Sequence, residues 1–227
     1  MSVPLRPEDE PDRVCIQLYH HVATQVPLRG KTVLEVSCGH GGGAAYLART
    51  LQPQRYVALD LNATGVQFCR QRHRVDGLRF EQGDAEHLPY ETGTFDAVIN
   101  VEASHCYPHL PQFLAEVARV LRPNGHFLYA DFRFKDRLAE WDAAIAGAPL
   151  RIRQRREINA EVLRGINLNS ARSLELIQQH LPRFLRALGR DFAGLEGSPI
   201  HRGLSSGELS YRSYCFEKSP DDPRIAG

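Results

Sequence analysis

Residues 33–43 read VLEVSCGHGGG, a β-branched run that passes into glycines and then into a helix-like stretch. Glycines in such a turn let the backbone approach a ligand closely, and the helix that follows offers free N–H groups, so the loop suits a nucleotide-like ligand. A strand-to-helix turn that is merely tight would use the same residues. Gly39, Gly41 and Ala44 also satisfy GxGxxA, with Asp60 at the spacing of a ribose-binding acid, so these residues alone leave NAD open as a cofactor. Two further acids shift the balance. Glu35 stands just before the glycines, where a carboxylate serves a ligand ammonium, directly or through water, and does nothing for a pyrophosphate. Asp84, in GDAEHLPY, can accept a hydrogen bond from an exocyclic adenine amine. Each acid also has a plain reading as a loop cap or surface group, but three of them at the ends of successive strands point to a ligand at the carboxyl edge of an α/β sheet.

These acids need strands to carry them. β-Branched runs at 32–36, 56–61, 78–81, 95–101 and 126–132 predict five strands, and helix-like stretches at 12–26, 44–51, 65–75 and 111–121 fall among them. The last of these has Phe113, Leu114, Val117, Val120 and Leu121 at helical spacing and stops before Pro123 and Gly125. Alternation of strand and helix, expected five times over this stretch, predicts a parallel sheet covered on both faces. From 134 to 200 the sequence turns helix-rich and basic residues outnumber acidic ones, before the strand-like YRSYCFEK at 211–218. The expectation is one domain over 1–227 with a helical cap inserted at 134–200. Residues 1–12 and 221–227 are expected to be loose.

With 227 residues, 42% hydrophobic and 24% charged, the chain can bury a substantial core, and a formal charge of +1 gives no electrostatic case for nucleic acid. Five scattered cysteines without metal spacing suit a reducing compartment. The acidic, proline-rich start is unlike a signal peptide and no run of 18 apolar residues occurs, so a cytoplasmic protein is expected.

The motifs together resemble the class I S-adenosylmethionine-dependent methyltransferases. VLEVSCGHGGG is similar to that family's E/DxGxGxG signature, ALDLN to its acidic second-strand end, GDAEHLPYETGTFDAVI to its third and fourth strands, and RVLRPNGHFLYADF to its helix and fifth strand. The resemblance covers about residues 30 to 135. It implies a Rossmann-like, doubly wound, seven-stranded, mostly parallel sheet with an antiparallel last strand. It also implies S-adenosylmethionine as methyl donor, with S-adenosylhomocysteine as product. Carried over by position, Glu35 would lie near the methionine end, with Gly39 and Gly41 lining the backbone beside it. Asp60 would hold the ribose hydroxyls, Leu61 flank adenine, and Asp84 with the backbone of Ala85 read its amine edge. Asn100, Val101 and Glu102 would lie beneath the sulfonium. Ser37 departs from the pattern, standing where the family has its first glycine.

Methyl transfer then needs an aligned acceptor and, for a hydroxyl, a base. His105 follows the fourth strand and Asp131 ends the fifth, so both face one crevice if the strands are neighbours. An imidazole can take the hydroxyl proton while a carboxylate orients it. The plainer reading is a helix-capping histidine and an aspartate that closes a turn. Similar segments in some small-molecule and sugar O-methyltransferases of this family favour the pair. Cys106 lacks an orienting partner, and His20 and His21 lack ligand spacing, so no catalytic metal is expected.

The acceptor is expected to be a small molecule or lipid: a hydroxyl on a lipid, polyketide or sugar-containing natural product. Carbon or nitrogen methylation, an NAD-dependent oxidoreductase and a non-catalytic ligand-binding scaffold are the alternatives. Leu174, Ile177, Leu181, Phe184, Leu185, Leu188 and Phe192 recur at helical spacing with Arg183, Arg186 and Arg190 between them. Such a stripe reads as core with arginines on its solvated face, or else as an acceptor channel or interfacial helix, so membrane contact is at most peripheral. A homodimer is possible. GINLNSARSLELI and SGELSYRSYCFEK are similar to stretches of actinobacterial methyltransferases of complex lipids, of phthiotriolone and glycopeptidolipid types.

Overall fold

The computed structural model describes residues 3–219, apart from the Phe192 side chain; the end at 221–227, expected to be loose, lies outside the described residues. Seven strands form one sheet: β1 (Thr32–Val36), β2 (Arg55–Asp60), β3 (Leu78–Gln82), β4 (Phe95–Val101), β5 (Leu121–Phe134), β6 (Arg151–Glu157) and β7 (Leu209–Glu217). Their order is β3-β2-β1-β4-β5-β7-β6. The first five pair in parallel, and β7 runs antiparallel to both β5 and β6. The order reverses at β1 and β4, the switch point at which open α/β sheets bind ligands.

Eight helices cover the sheet: α1 (Arg13–Ala23), α2 (Gly42–Leu51), α3 (Ala63–Arg72), α4 (Leu110–Val120), α5 (Leu138–Gly147), α6 (Asn159–His180), α7 (Arg186–Phe192) and α8 (Pro199–Ser206). Strand residues alternate between two cores, as a period of two requires. Val33, Ala58, Ile99 and Leu128 join apolar residues of α1, α2, α3, α6 and α8 on one face. Leu34, Val57, Val98 and Phe127 join Phe113, Val117 and Trp141 of α4 and α5 on the other. β1 and β4 are thus buried on both faces, which is why they read as nearly unbroken apolar runs.

Three expectations need correction. No helix joins β3 to β4 among the described residues, so strand and helix do not alternate five times. The loop at 83–94 is tied down by α4 instead: Leu88 N–H donates to the Glu116 carboxylate, and the Arg119 guanidinium donates to the carbonyls of Leu88 and Tyr90. The segment 134–200 is not wholly helical, because it contributes β6 to the sheet edge. Every residue of β6 is exposed, so RIRQRRE carries no period-two apolar signal; its four arginines suit an open edge that must not pair with another chain. Finally, the N-terminal stretch is anchored. Val3 is buried and its carbonyl accepts from Arg13, Asp9 pairs with Arg49, and Glu10–Asp12 form a 3-10 turn.

Candidate active site

The chain leaves β1 at Val36 and turns sharply. Ser37, Gly39 and Gly41 all have positive φ, at 60°, 56° and 75°. Cys38 N–H reaches across to the Leu59 carbonyl on β2, and Gly39 N–H donates to Asp60 Oδ2 at 2.8 Å. The other carboxylate oxygen of Asp60 accepts Asn62 N–H at 2.9 Å. A carboxylate has about four acceptor positions, so the half-buried Asp60 retains capacity for a vicinal diol after shaping the loop. Asn62 then caps α3 by accepting from Thr64 and Gly65.

The two loop glycines do different work. A side chain on Gly39 would meet open space, whereas a Cβ on Gly41 would come within 2.7 Å of the Phe80 ring. Gly39 therefore borders the ligand space and Gly41 allows α2 to pack on β3. Ser37, the departure from the family pattern, takes the left-handed conformation that a glycine would adopt without cost. Its hydroxyl lies 2.5 Å from the Tyr107 hydroxyl, to which Asn100 donates; Asn100 also donates to the Val36 carbonyl.

Glu35 is 1% exposed, beneath the loop. Tyr56 donates to its Oε2 at 2.5 Å, and Tyr19 lies against the same carboxyl. Burial pushes the Glu35 carboxyl up to about 7, against the opposing pull of the Tyr56 hydrogen bond. Leu61, 68% exposed, stands at the end of β2 as an open apolar surface for a flat ring. Asp84 is exposed; the backbone N–H of Glu86 is the largest of the causes that hold its carboxyl below the usual value. Ala85 and Val101 are buried beside it and at the end of β4. Glu102 continues from β4 with φ 52°. Although its residue surface is largely open, protein packed around the carboxyl raises its pKa.

After Glu102, the 3-10 turn Ser104–Cys106 delivers His105 over β5. His105 Nδ1 lies 2.8 Å from Asp131 Oδ1, and Asp131 is fully buried. The same carboxylate accepts from the His105 backbone N–H, the Ser104 hydroxyl and the Phe132 N–H, and Arg133 lies 3.2 Å from it. Burial alone would raise Asp131; His105, Arg133 and Ser104 together hold it below the usual carboxylate value. With Nδ1 donating to a carboxylate, Nε2 carries the lone pair and can accept a proton. The ring is tilted on Phe132, with centroids 4.5 Å apart.

His105 also borders a cavity of about 450 Å³ between α4 and α5, lined among others by Tyr107, Leu110, Ala115, Trp141 and Ala144. It falls within the range of roughly 300–1,000 Å³ typical of small-molecule sites. Tyr107 joins the two halves of the site, since its ring lines this cavity while its hydroxyl touches Ser37 of the loop.

The structure thus brings the loop, Asp60, Leu61, Asp84, Asn100 and Glu102 to one sheet edge, with His105 and Asp131 beside them. Sequence reasoning missed Tyr56, Tyr107 and Arg133. Arg133 had a signal: two residues after Asp131 on a strand, it shares that residue's face. Among the described residues, no group of three or more His, Cys, Asp or Glu is placed to hold a metal ion.

The family described as "Methyltransferase domain" matches residues 34–129. The chain is 59% identical over 218 residues to the phthiotriol/phenolphthiotriol dimycocerosates methyltransferase of Mycobacterium tuberculosis (strain ATCC 25177 / H37Ra), covering 96% of this chain and 81% of that one. It is 50% identical over 221 residues to a fatty-acid O-methyltransferase of Mycolicibacterium smegmatis, covering 96% and 79%. Among solved structures it is similar to a geranyl diphosphate C-methyltransferase from Streptomyces coelicolor A3(2), in complex with Mg2+, geranyl diphosphate and S-adenosyl-L-homocysteine, with a TM-score of 0.70. That likeness covers 95% of this chain and 87% of the other at 15% identity, and it speaks to the fold.

Proposed function

This chain belongs to the S-adenosylmethionine-dependent methyltransferases, and from that premise we propose that it methylates an oxygen on a lipid acceptor, with His105 as general base. The NAD reading of Gly39, Gly41, Ala44 and Asp60 gives way to this membership. S-adenosylmethionine supplies a methyl group already activated on a sulfonium. The residues at the sheet edge fit such a ligand: open space over Gly39, spare acceptor capacity on Asp60, and an exposed apolar surface at Leu61. In this reading Asp60 holds the ribose diol and Asp84, with the Ala85 backbone, meets the adenine amine. Asn100, Val101 and Glu102 floor the reacting end. Ser37, through Tyr107, ties the loop to the acceptor side. Glu35, beneath the loop, lies towards the methionine end.

The observation that carries the proposal is the His105–Asp131 pair beside the α4–α5 cavity. A hydroxyl acceptor seated there would give its proton to Nε2 as its oxygen bonds the methyl carbon and the carbon–sulfur bond breaks, the electron pair leaving with S-adenosylhomocysteine, and the resulting imidazolium would face the buried carboxylate of Asp131. Lipid is favoured over polyketide or sugar by the names of the relatives. A cytoplasmic setting is consistent with the free thiols of all five cysteines.

The relative named for fatty acids suggests a second reading, a carboxylate acceptor, which is already deprotonated and needs no base. Isotopically methyl-labelled S-adenosylmethionine, presented with a hydroxylated lipid and a fatty acid of equal length, separates the two. A labelled methyl ether on the hydroxylated lipid is expected. Label only on the fatty acid would favour the second reading, and label on carbon or nitrogen would overturn both.

A further inference from the structure

The apolar stripe at the end of the helical segment is divided by the fold. Ile177 is buried, and a Cβ on Gly189 would meet Leu181 at 2.5 Å, so one side of α7 is pressed onto α6. Phe184 and Leu188, four residues apart, point the other way and are 81% and 68% exposed. Leu185 beside them is 36% exposed. A core residue would not remain so open. Arg183 and Arg190 flank this pair on the surface, and Arg186 lies between them, its guanidinium closing the end of α6 on the carbonyls of Gln178 and Leu181. None of the three arginines forms an ion pair among the described residues, and Asp191 is the one acid in the stretch 181–191.

We infer that this tip, from the end of α6 through α7, seats the protein on an anionic lipid surface. Protruding aromatic and aliphatic side chains ringed by arginines match the boundary of a bilayer, where apolar groups enter the acyl region and cations meet phosphates. Charge decides between this occupant and a second copy of the chain. A twofold contact through the same patch would bring two sets of three arginines together, whereas anionic headgroups neutralise them. The inference rests on the proposed lipid acceptor for its purpose, because docking would hold the site where such an acceptor lies. Its test reads binding without turnover.

The full chain is sedimented with vesicles of phosphatidylcholine alone and of phosphatidylcholine mixed with phosphatidylglycerol, at rising salt. Binding is expected to the mixed vesicles only, and to weaken as salt screens the charges. Removing two apolar anchors in Phe184→Ser/Leu188→Ser should reduce vesicle affinity at least about tenfold. Arg183→Gln/Arg190→Gln should cost about fivefold per charge. Binding of S-adenosylhomocysteine, followed by calorimetry, should be unchanged in both variants and shows that they are folded. Equal binding to neutral vesicles, no vesicle binding, or binding indifferent to the substitutions would overturn the inference. So would a dimer of the native chain that Phe184→Ser/Leu188→Ser converts to monomer. Loss of vesicle binding in the variants, with methylation of a short-chain soluble acceptor intact, supports docking independently of acceptor chemistry; failure of methylation in the native chain alone would strike only the function.

Discussion

At the scale of single residues, the site turns on two buried carboxylates with opposite tendencies. Asp131 is surrounded by donors and cations and is held low; Glu35 is held high by burial, which outweighs the hydrogen bonds of Tyr56 and Tyr19. Asp131→Asn would place an amide where Ser104 and two backbone N–H groups donate and the Arg133 guanidinium lies 3.2 Å away. Breaking such a buried pair typically costs about 3–5 kcal/mol, so the variant should unfold at markedly lower denaturant than the native chain. Its rate at neutral pH should also fall, since the imidazole loses its orienting partner. Glu35 gives a pH signature. Its pKa is raised on folding, so the native state holds the proton more tightly, and stability from this group declines as pH rises from about 4.5 towards about 7. A shift of that size corresponds to at most about 3 kcal/mol. Glu35→Gln, which keeps a partner for Tyr56, should flatten this window in urea titrations at several pH values; an unchanged slope would show that Glu35 titrates normally. Asp131 and His105 were legible as a pair from their positions at two strand ends. Tyr56 and Tyr107 were not, because their partners come from other strands and loops, and only the folded register brings them together.

At the scale of elements, the glycine loop is the most legible feature, because its conformation is dictated by its own residues. Positive φ at Gly39 and Gly41 is where glycine costs least, and the strand before it and helix after it follow from local pattern. Gly41→Ala forces a methyl group towards Phe80, and overpacking of this kind costs about 1–3 kcal/mol before the unfavourable φ is counted. Calorimetry should therefore find weaker S-adenosylhomocysteine binding as well as a lower melting temperature, whereas Gly39→Ala, facing open space, should carry only the cost of its positive φ and so lower the melting temperature less. Trp141 anchors α5 over β5 and donates to the Tyr129 hydroxyl; Trp141→Ala should cost about 3–5 kcal/mol in stability, measured by chemical unfolding. β6 was illegible for a reason visible in its residues. An exposed edge strand with arginine at four of seven positions gives no periodic apolar signal, and only pairing with β7 defines it. The loop between β3 and β4 breaks the expected alternation, because side chains of α4 hold an irregular path there in place of a helix.

At the scale of the whole molecule, the sheet and its two cores carry the cofactor edge, and the segment between β5 and β7 supplies α5, which walls the cavity, β6, which completes the sheet, the α6–α7 arm, and α8, which packs on the core. Acceptor choice should therefore follow the α4–α5 cavity, and cofactor affinity should follow the loop. Replacing α5, which forms one wall of the cavity, by that of a relative with another acceptor should change the product profile while leaving S-adenosylhomocysteine affinity within about twofold, a difference below about 0.5 kcal/mol; an unaltered profile would place acceptor choice elsewhere. The proposed chemistry is tested most directly by the turnover of His105→Ala on a hydroxylated lipid, with the chemical step shown to limit the rate. General-base catalysis is worth about 10² to 10⁴-fold, so turnover should fall by that factor, with cofactor affinity nearly unchanged. Undiminished turnover in that variant would contradict the role of His105 and leave alignment of acceptor and methyl donor as the source of catalysis.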